Sequence, residues 1–221
     1  YTSNIIGYIE GTDPVLKNEF VAIGAHYDHL GIEGTKVFNG ADDDGSGIVA
    51  ILEISRALAA KVNFKRSILI VFHGAEEKGL LGSSYLADNF PRMGDITAQL
   101  NIDMVGREHP DTIYSVGSAK ITGEMKKLVE EVNAQTVKFN LNYRFDEPND
   151  PLRLYERSDH YNYAKKGIPI VFFYDFMNED YHKPTDDIEK INFEKIKKVS
   201  ELMYHLAVKL ANLPKRLTAE T

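Results

Sequence analysis

Ser67-Ile68-Leu69-Ile70-Val71-Phe72-His73-Gly74-Ala75-Glu76-Glu77 is the stretch from which the rest of the chain is best read. Its unbroken apolar run, Ile68 to Phe72, predicts a strand buried on both faces, as in a parallel sheet covered by helices. That strand runs directly into two adjacent carboxylates. Taking a carboxylate out of water costs several kcal/mol unless an opposite charge compensates it. Glu76 and Glu77 therefore predict positive charge at the end of this strand, and the chemistry around them identifies its kind.

On either side, apolar strands alternate with helices. Phe20–His26 reads as a buried strand, entered after the turn-rich Gly11-Thr12-Asp13-Pro14. Ile48, Ile51, Leu52, Ile54, Ala57 and Leu58 recur at helical spacing between Ser46 and about Lys61. Leu80–Asn89 reads as a helix ended by Pro91, Thr97–Met104 as a third strand and Thr112–Val116 as a fourth. A charged amphipathic helix follows over Ile121–Ala134, then a long polar loop over 137–157 of the kind that carries specificity. A short helix near Asp159–Lys165 leads into the strand Ile168–Tyr174. In the last helix, Phe193–Leu213, the stripe Phe193, Ile196, Val199, Met203, Leu206 and Leu210 reads as core packing. The expected architecture is one α/β domain, with a central, mostly parallel mixed sheet flanked by helices on both faces. No repeat or linker divides residues 1–221.

Composition narrows the function. A net charge of −7 over 221 residues argues against a nucleic-acid surface, which needs clustered Lys and Arg. With no cysteine there is neither disulfide nor thiolate ligand, so a metal would be held by His, Asp and Glu, a set suited to zinc or manganese. No apolar run approaches a membrane span. The start at Tyr1, with no leader pattern, reads as a processed or truncated form of a longer precursor.

In parallel sheets, ligands bind beyond the carboxyl ends of the strands. His26 and Asp28 follow the first strand, Glu76 and Glu77 the second, Asp103 closes the third, and His182 lies a loop beyond Ile168–Tyr174. Between the first strand and its helix runs Asn39-Gly40-Ala41-Asp42-Asp43-Asp44-Gly45-Ser46-Gly47. Singly, each has an ordinary use: a strand-end His hydrogen-bonds in the core, and an Asp run caps a helix. Gathered at one sheet edge, they point to cations.

The ordered blocks His26-x-Asp28, Gly40-Ala41-Asp42-Asp43-Asp44-Gly45-Ser46-Gly47, Glu76-Glu77-x-Gly79-Leu80-x-Gly82-Ser83, Asn101-Ile102-Asp103-Met104-x-Gly106, Arg157-Ser158-Asp159-His160, Gly167-Ile168-Pro169 and Tyr181-His182 resemble the co-catalytic di-zinc aminopeptidase family, whose relatives include glutamate carboxypeptidase and glutaminyl cyclase. The resemblance runs from about residue 20 to 190. It implies a zinc-peptidase catalytic domain with two Zn²⁺ per chain. Asp43 would bridge the metals, His26 and Asp103 would complete one shell, and Glu77 with His182 the other. Glu76 is then the general base, and Tyr181 the donor to the oxyanion. Asp28 would accept the free ring N–H of His26. Arg157 and Asp159 fall in a block expected near substrate or behind the ligands, with Arg157 open to either substrate binding or a salt bridge. A cis peptide between Asp43 and Asp44 is also implied. His29 is expected to pack or hydrogen-bond near the site, His160 to serve a helix-start network, and His73, His109 and His205 to be structural or exposed.

The implied substrate is a peptide with a free N-terminus, and the implied location is secreted or periplasmic. Three readings compete: aminopeptidase, a carboxypeptidase or glutaminyl cyclase of the same superfamily, and a non-catalytic receptor-like domain. Intact ligand positions disfavour the cyclase and the receptor. The loop over 137–157 shows no cationic cluster suited to a substrate carboxylate, which disfavours the carboxypeptidase.

Overall fold

Alternation along Phe20–His26 sets the layers. Successive strand residues face opposite ways. Val21, Ile23 and Ala25 join one apolar cluster with Ile51, Ile54 and Leu58 and with Leu202, Met203 and Leu206. Phe20 and Ala22 face the other side, where Leu86 and Tyr163 close over them. Each fully buried Val, Ile, Leu, Phe or Met among them contributes on the order of 2 kcal/mol relative to exposure.

The computed structural model describes residues 2–107 and 109–219. In chain order its elements are β1 (Ile5–Ile9), β2 (Phe20–His26), β3 (Gly31–Glu33), β4 (Lys36–Phe38), α1 (Gly45–Ala60), β5 (Ser67–His73), α2 (Leu81–Asn89), β6 (Ile96–Asp103), β7 (Thr112–Val116), α3 (Gly123–Gln135), β8 (Asn140–Asn142), α4 (His160–Ala164), β9 (Ile170–Tyr174) and α5 (Phe193–Ala211). A 7-stranded sheet runs in the order β1-β5-β2-β6-β9-β7-β8, and β3 pairs with β4 in a separate hairpin. β5, β2, β6 and β9 are mutually parallel. β1 is antiparallel to β5, and β7 is antiparallel to β9. This is the mixed sheet expected. Helices α1, α3 and α5 cover one face, and α2 and α4 the other.

β1 and the β3–β4 hairpin are absent from the sequence reading. β1 is an edge strand with four exposed residues, so it lacks the continuous apolar signal of the central strands. β3 and β4 are short and almost wholly exposed. The loop over 137–157 contains β8, which pairs with β7 over three residues.

The sheet also sets where the polar residues meet. His26 lies level with His73, and Asp103 with Tyr174, so four parallel strands end along one edge. After β2 the chain adds β5 on one side of it and then β6 on the other. Loops that diverge in this way open a crevice at the carboxyl edge. Among the described residues, no helix is long and apolar enough to cross a membrane.

Candidate metal centre

Asp28 organises the glutamate pair. Its carboxylate accepts the backbone N–H groups of Glu76, at 2.9 Å, and Glu77, at 3.3 Å, joining the loop after β2 to the loop after β5. This corrects the expected role of Asp28. The Nδ1–H of His26 donates to the backbone carbonyl of Asp28 at 2.9 Å, and the carboxylate stands 3.8 Å away. The ring is still held with Nε2 facing inward, but a main-chain oxygen holds it.

The three aspartates before α1 have three different surroundings. Asp42 is buried, accepts N–H from Gly106 at 2.7 Å and from the Asn178 side chain at 3.1 Å, and is pushed up to about 7 by burial. Asp44 caps α1: its carboxylate accepts from Gly47 N at 3.1 Å, from Met104 N at 3.2 Å and from His26 N at 3.1 Å. Asp43, joined to Asp44 by a cis peptide, turns its carboxylate into the crevice. The backbone N–H groups of Asp42 and Asp43 both donate to Asp186, at 3.0 Å and 3.1 Å, which in turn pairs with Arg107 at 2.7 Å.

Around Asp43 the side chains converge. His26 Nε2 stands 3.2 Å from Asp43 Oδ1 and 3.6 Å from Asp103 Oδ1. His182 Nε2 stands 3.2 Å from Asp43 Oδ2 and 3.1 Å from Glu77 Oε2. His29 Nδ1 stands 2.8 Å from Glu77 Oε1. Yet His26 Nε2, His29 Nδ1, Asp43 Oδ2 and Glu77 Oε1 are buried without a well-directed hydrogen bond. Donor atoms crowded together but not aimed at one another are what a shared cation would draw in. Imidazole and carboxylate without thiolate fit zinc-type divalent ions. His26, Asp44 and Asp103 form one possible ion-holding group and His29, Asp43 and Glu77 a second. Asp44 is already engaged by three backbone N–H groups. Asp43, between the two groups, is the better candidate to serve both.

Electrostatics agree with a site that favours positive charge. Burial pushes the Glu76 carboxyl up to about 10; Asp103, Asp159 and Glu77 act in the same direction and His26 against it. Burial likewise raises Asp103, with His26 opposing. For Asp43, burial acts upward, but His182 and His26 outweigh it and hold the carboxyl below its usual range. Contacts with Asp43 and Glu77 push His182 up to about 9.

The crevice over this cluster is lined by Asp43, Glu76, Glu77, Asp103 and His182, with Met104, Leu154 and Phe172 as an apolar wall. Tyr181 lines it too, its ring stacked on His182 at 3.8 Å, and its hydroxyl oxygen accepts from Arg157 at 3.1 Å. Arg157 therefore sits in the crevice, and its guanidinium contacts are with Tyr181 and Met177. Asp159 is placed differently: it is buried 3.3 Å from His73 Nδ1, while His73 Nε2 meets the Tyr163 hydroxyl at 3.0 Å. His160 donates from Nε2 to the carbonyl of Tyr155 at 2.8 Å, the helix-start network expected for it. The sequence reading gave no role to Asp186, although it lies only four residues beyond His182.

Fold and site define an α/β protein whose sheet edge presents a buried imidazole–carboxylate cluster suited to divalent metal. The chain belongs to peptidase family M28, whose model matches residues 4–207. It is 30% identical over 216 residues to "Leucine aminopeptidase 1" of Uncinocarpus reesii, an alignment covering 92% of this chain and 54% of that protein. Its fold matches the LapA aminopeptidase of Legionella pneumophila with a TM-score of 0.79 at 25% identity, over 96% of this chain and 55% of that one. A zinc aminopeptidase from Bacillus subtilis matches with a TM-score of 0.76 at 25% identity, over 96% of this chain and 51% of that one. The chain spans about half the length of the curated relatives it matches.

Proposed function

We propose that the chain is a two-zinc aminopeptidase that removes the N-terminal residue of peptides. The observation that carries this reading is the meeting of Glu76, Asp43, Glu77, Asp103 and His182 in one crevice, beside an apolar wall of Met104, Leu154 and Phe172. In this reading His26 and Asp103 hold one ion, Glu77 and His182 the other, and Asp43 both. Bound zinc would acidify the attacking water and polarise the scissile carbonyl.

The chain's own residues supply the rest. Glu76 takes the proton from water and returns it to the departing amine nitrogen. Its burial favours proton uptake, and it stands next to ligand Glu77, so it lies close to the reacting atoms without binding a metal itself. Tyr181 accepts from Arg157, which leaves the phenolic proton free to point at the substrate carbonyl as charge develops there. The surrounding carboxylates favour a free α-ammonium group on the substrate. Among the described residues lining the crevice, Arg157 is the only Arg or Lys, and its engagement with Tyr181 disfavours a pocket built for a substrate carboxylate.

The test compares release of leucine from an unblocked substrate with release from its N-acetylated counterpart, with and without chelator. Rapid, chelator-sensitive cleavage of the unblocked substrate alone is expected. Equal cleavage of both would defeat the aminopeptidase reading, and cleavage of neither by zinc-loaded protein would favour a binding domain. We also propose a secreted or periplasmic location, which cell fractionation tests directly.

A further inference from the structure

We propose that His29 is a further metal ligand on the Glu77 side of the cluster. That position would then carry two imidazoles, His29 and His182, against the single imidazole of His26 on the other. The inference rests on the two-metal reading above and extends its ligand set.

His29 lies three residues beyond His26, in the loop between β2 and β3. Its side chain is only 10% exposed, and both ring nitrogens are buried without a hydrogen-bond partner. Burying polar atoms in that way is costly unless something else engages them. Nδ1 stands 2.8 Å from Glu77 Oε1 and 3.9 Å from Asp43 Oδ2. The shorter contact has hydrogen-bond length, yet neither atom counts the other as a properly directed partner. His26 Nε2 shows the same signature, close to carboxylates but aimed at none of them. His29, Asp43 and Glu77 thus bring one donor atom each within 4.8 Å of the others.

The surroundings are shaped for the ring. Glu77 divides its carboxylate, with Oε1 toward His29 and Oε2 toward His182. The two imidazoles meet edge to face, with centroids 6.0 Å apart, so both reach the same carboxylates without stacking. Gly40, at φ +64°, packs on His29: a Cβ there would fall 2.7 Å from the ring Cγ and 2.5 Å from the Asp43 carbonyl oxygen. Any larger residue at 40 would push the ring or the bridging aspartate out of place. A second neutral nitrogen donor also changes selectivity, because imidazole favours zinc, copper and nickel over magnesium and calcium.

The test uses the full chain with ¹⁵N-labelled histidine, titrated with zinc and read by two-bond ¹H–¹⁵N correlation. The expected result is that His29 Nδ1 shifts to a metal-bound value together with one nitrogen each of His26 and His182. A companion measurement is zinc affinity by competition with a chromogenic chelator. Loss of an outer-shell partner lowers metal affinity by about 10–100-fold, so His29→Ala is expected to weaken one zinc equivalent by more than about 100-fold. If His26 and His182 shift while His29 stays at its metal-free value, the proposal is overturned and the two-metal reading stands. If no histidine shifts and no zinc binds, the two-metal reading falls and this inference with it. The wild-type spectrum decides the matter even if His29→Ala fails to fold.

Discussion

Glu76 and Glu77 are neighbours with opposite assignments, and the geometry makes the difference testable. Both main-chain N–H groups are held by Asp28, so the pair enters the crevice on a fixed backbone. Glu77 reaches His182 and His29, whereas Glu76 lines the crevice and is pushed up to about 10 by burial. Glu76→Gln is therefore expected to lower kcat by about 10²–10⁴-fold, the usual range for a lost general base, with both metals retained on elemental analysis. Glu77→Gln should instead release metal. Metal loss in Glu76→Gln with retention in Glu77→Gln would exchange the two roles. Asp43→Ala is expected to weaken both ions together; full occupancy in that variant would remove the bridge from the scheme.

At the scale of elements, the site is legible where strands end and obscure where loops cross. β2, β5 and β9 are read correctly because burial on both faces makes them near-continuous apolar runs, and β6 is read as a strand although Thr97, Gln99 and Asn101 alternate with its apolar residues. β1 is not, because its partner β5 lies some sixty residues away and its own side chains stay exposed. α4 is a short helix whose first residue, His160, is buried and stacked on Phe172 at 4.5 Å. Burial pushes the His160 imidazole down to about 3, with the Tyr155 carbonyl opposing. An unfolded histidine titrates near 6.5, so between these values the unfolded chain binds a proton that the folded chain refuses. Stability is then complete above pH ~6.5 and falls as the pH drops toward ~3. Urea unfolding from pH 7 to pH 4 should show a slope shallower by about one proton in His160→Gln than in the wild type. Parallel slopes would mean that His160 takes up its proton in the folded protein.

For the molecule as a whole, the last helix is tied to the crevice by a chain of charges. Lys195 of α5 is fully buried and pairs with Asp175, just beyond β9, at 2.5 Å. The other Asp175 oxygen accepts the backbone N–H of Arg107, whose guanidinium holds Asp180 and Asp186, and Asp186 accepts the backbone N–H groups of Asp42 and Asp43. Lys195→Met would leave Asp175 buried without that cation and is expected to cost about 3–5 kcal/mol in urea unfolding. Pairing it with Asp175→Leu should recover most of the loss; an equally unstable double variant would place the defect in packing instead. By itself, the sequence determined the α/β layering and the strand ends that carry His26, Glu76, Glu77 and Asp103, because apolar periodicity and the charges that interrupt it are local properties. It takes the folded chain to show that the Asp28 carbonyl orients His26, that the Asp28 carboxylate clamps the glutamate pair, and that His29 and Asp186 approach the site. Those outcomes depend on which backbone N–H or ring nitrogen a side chain meets across a loop crossing, and spacing along the chain does not encode it.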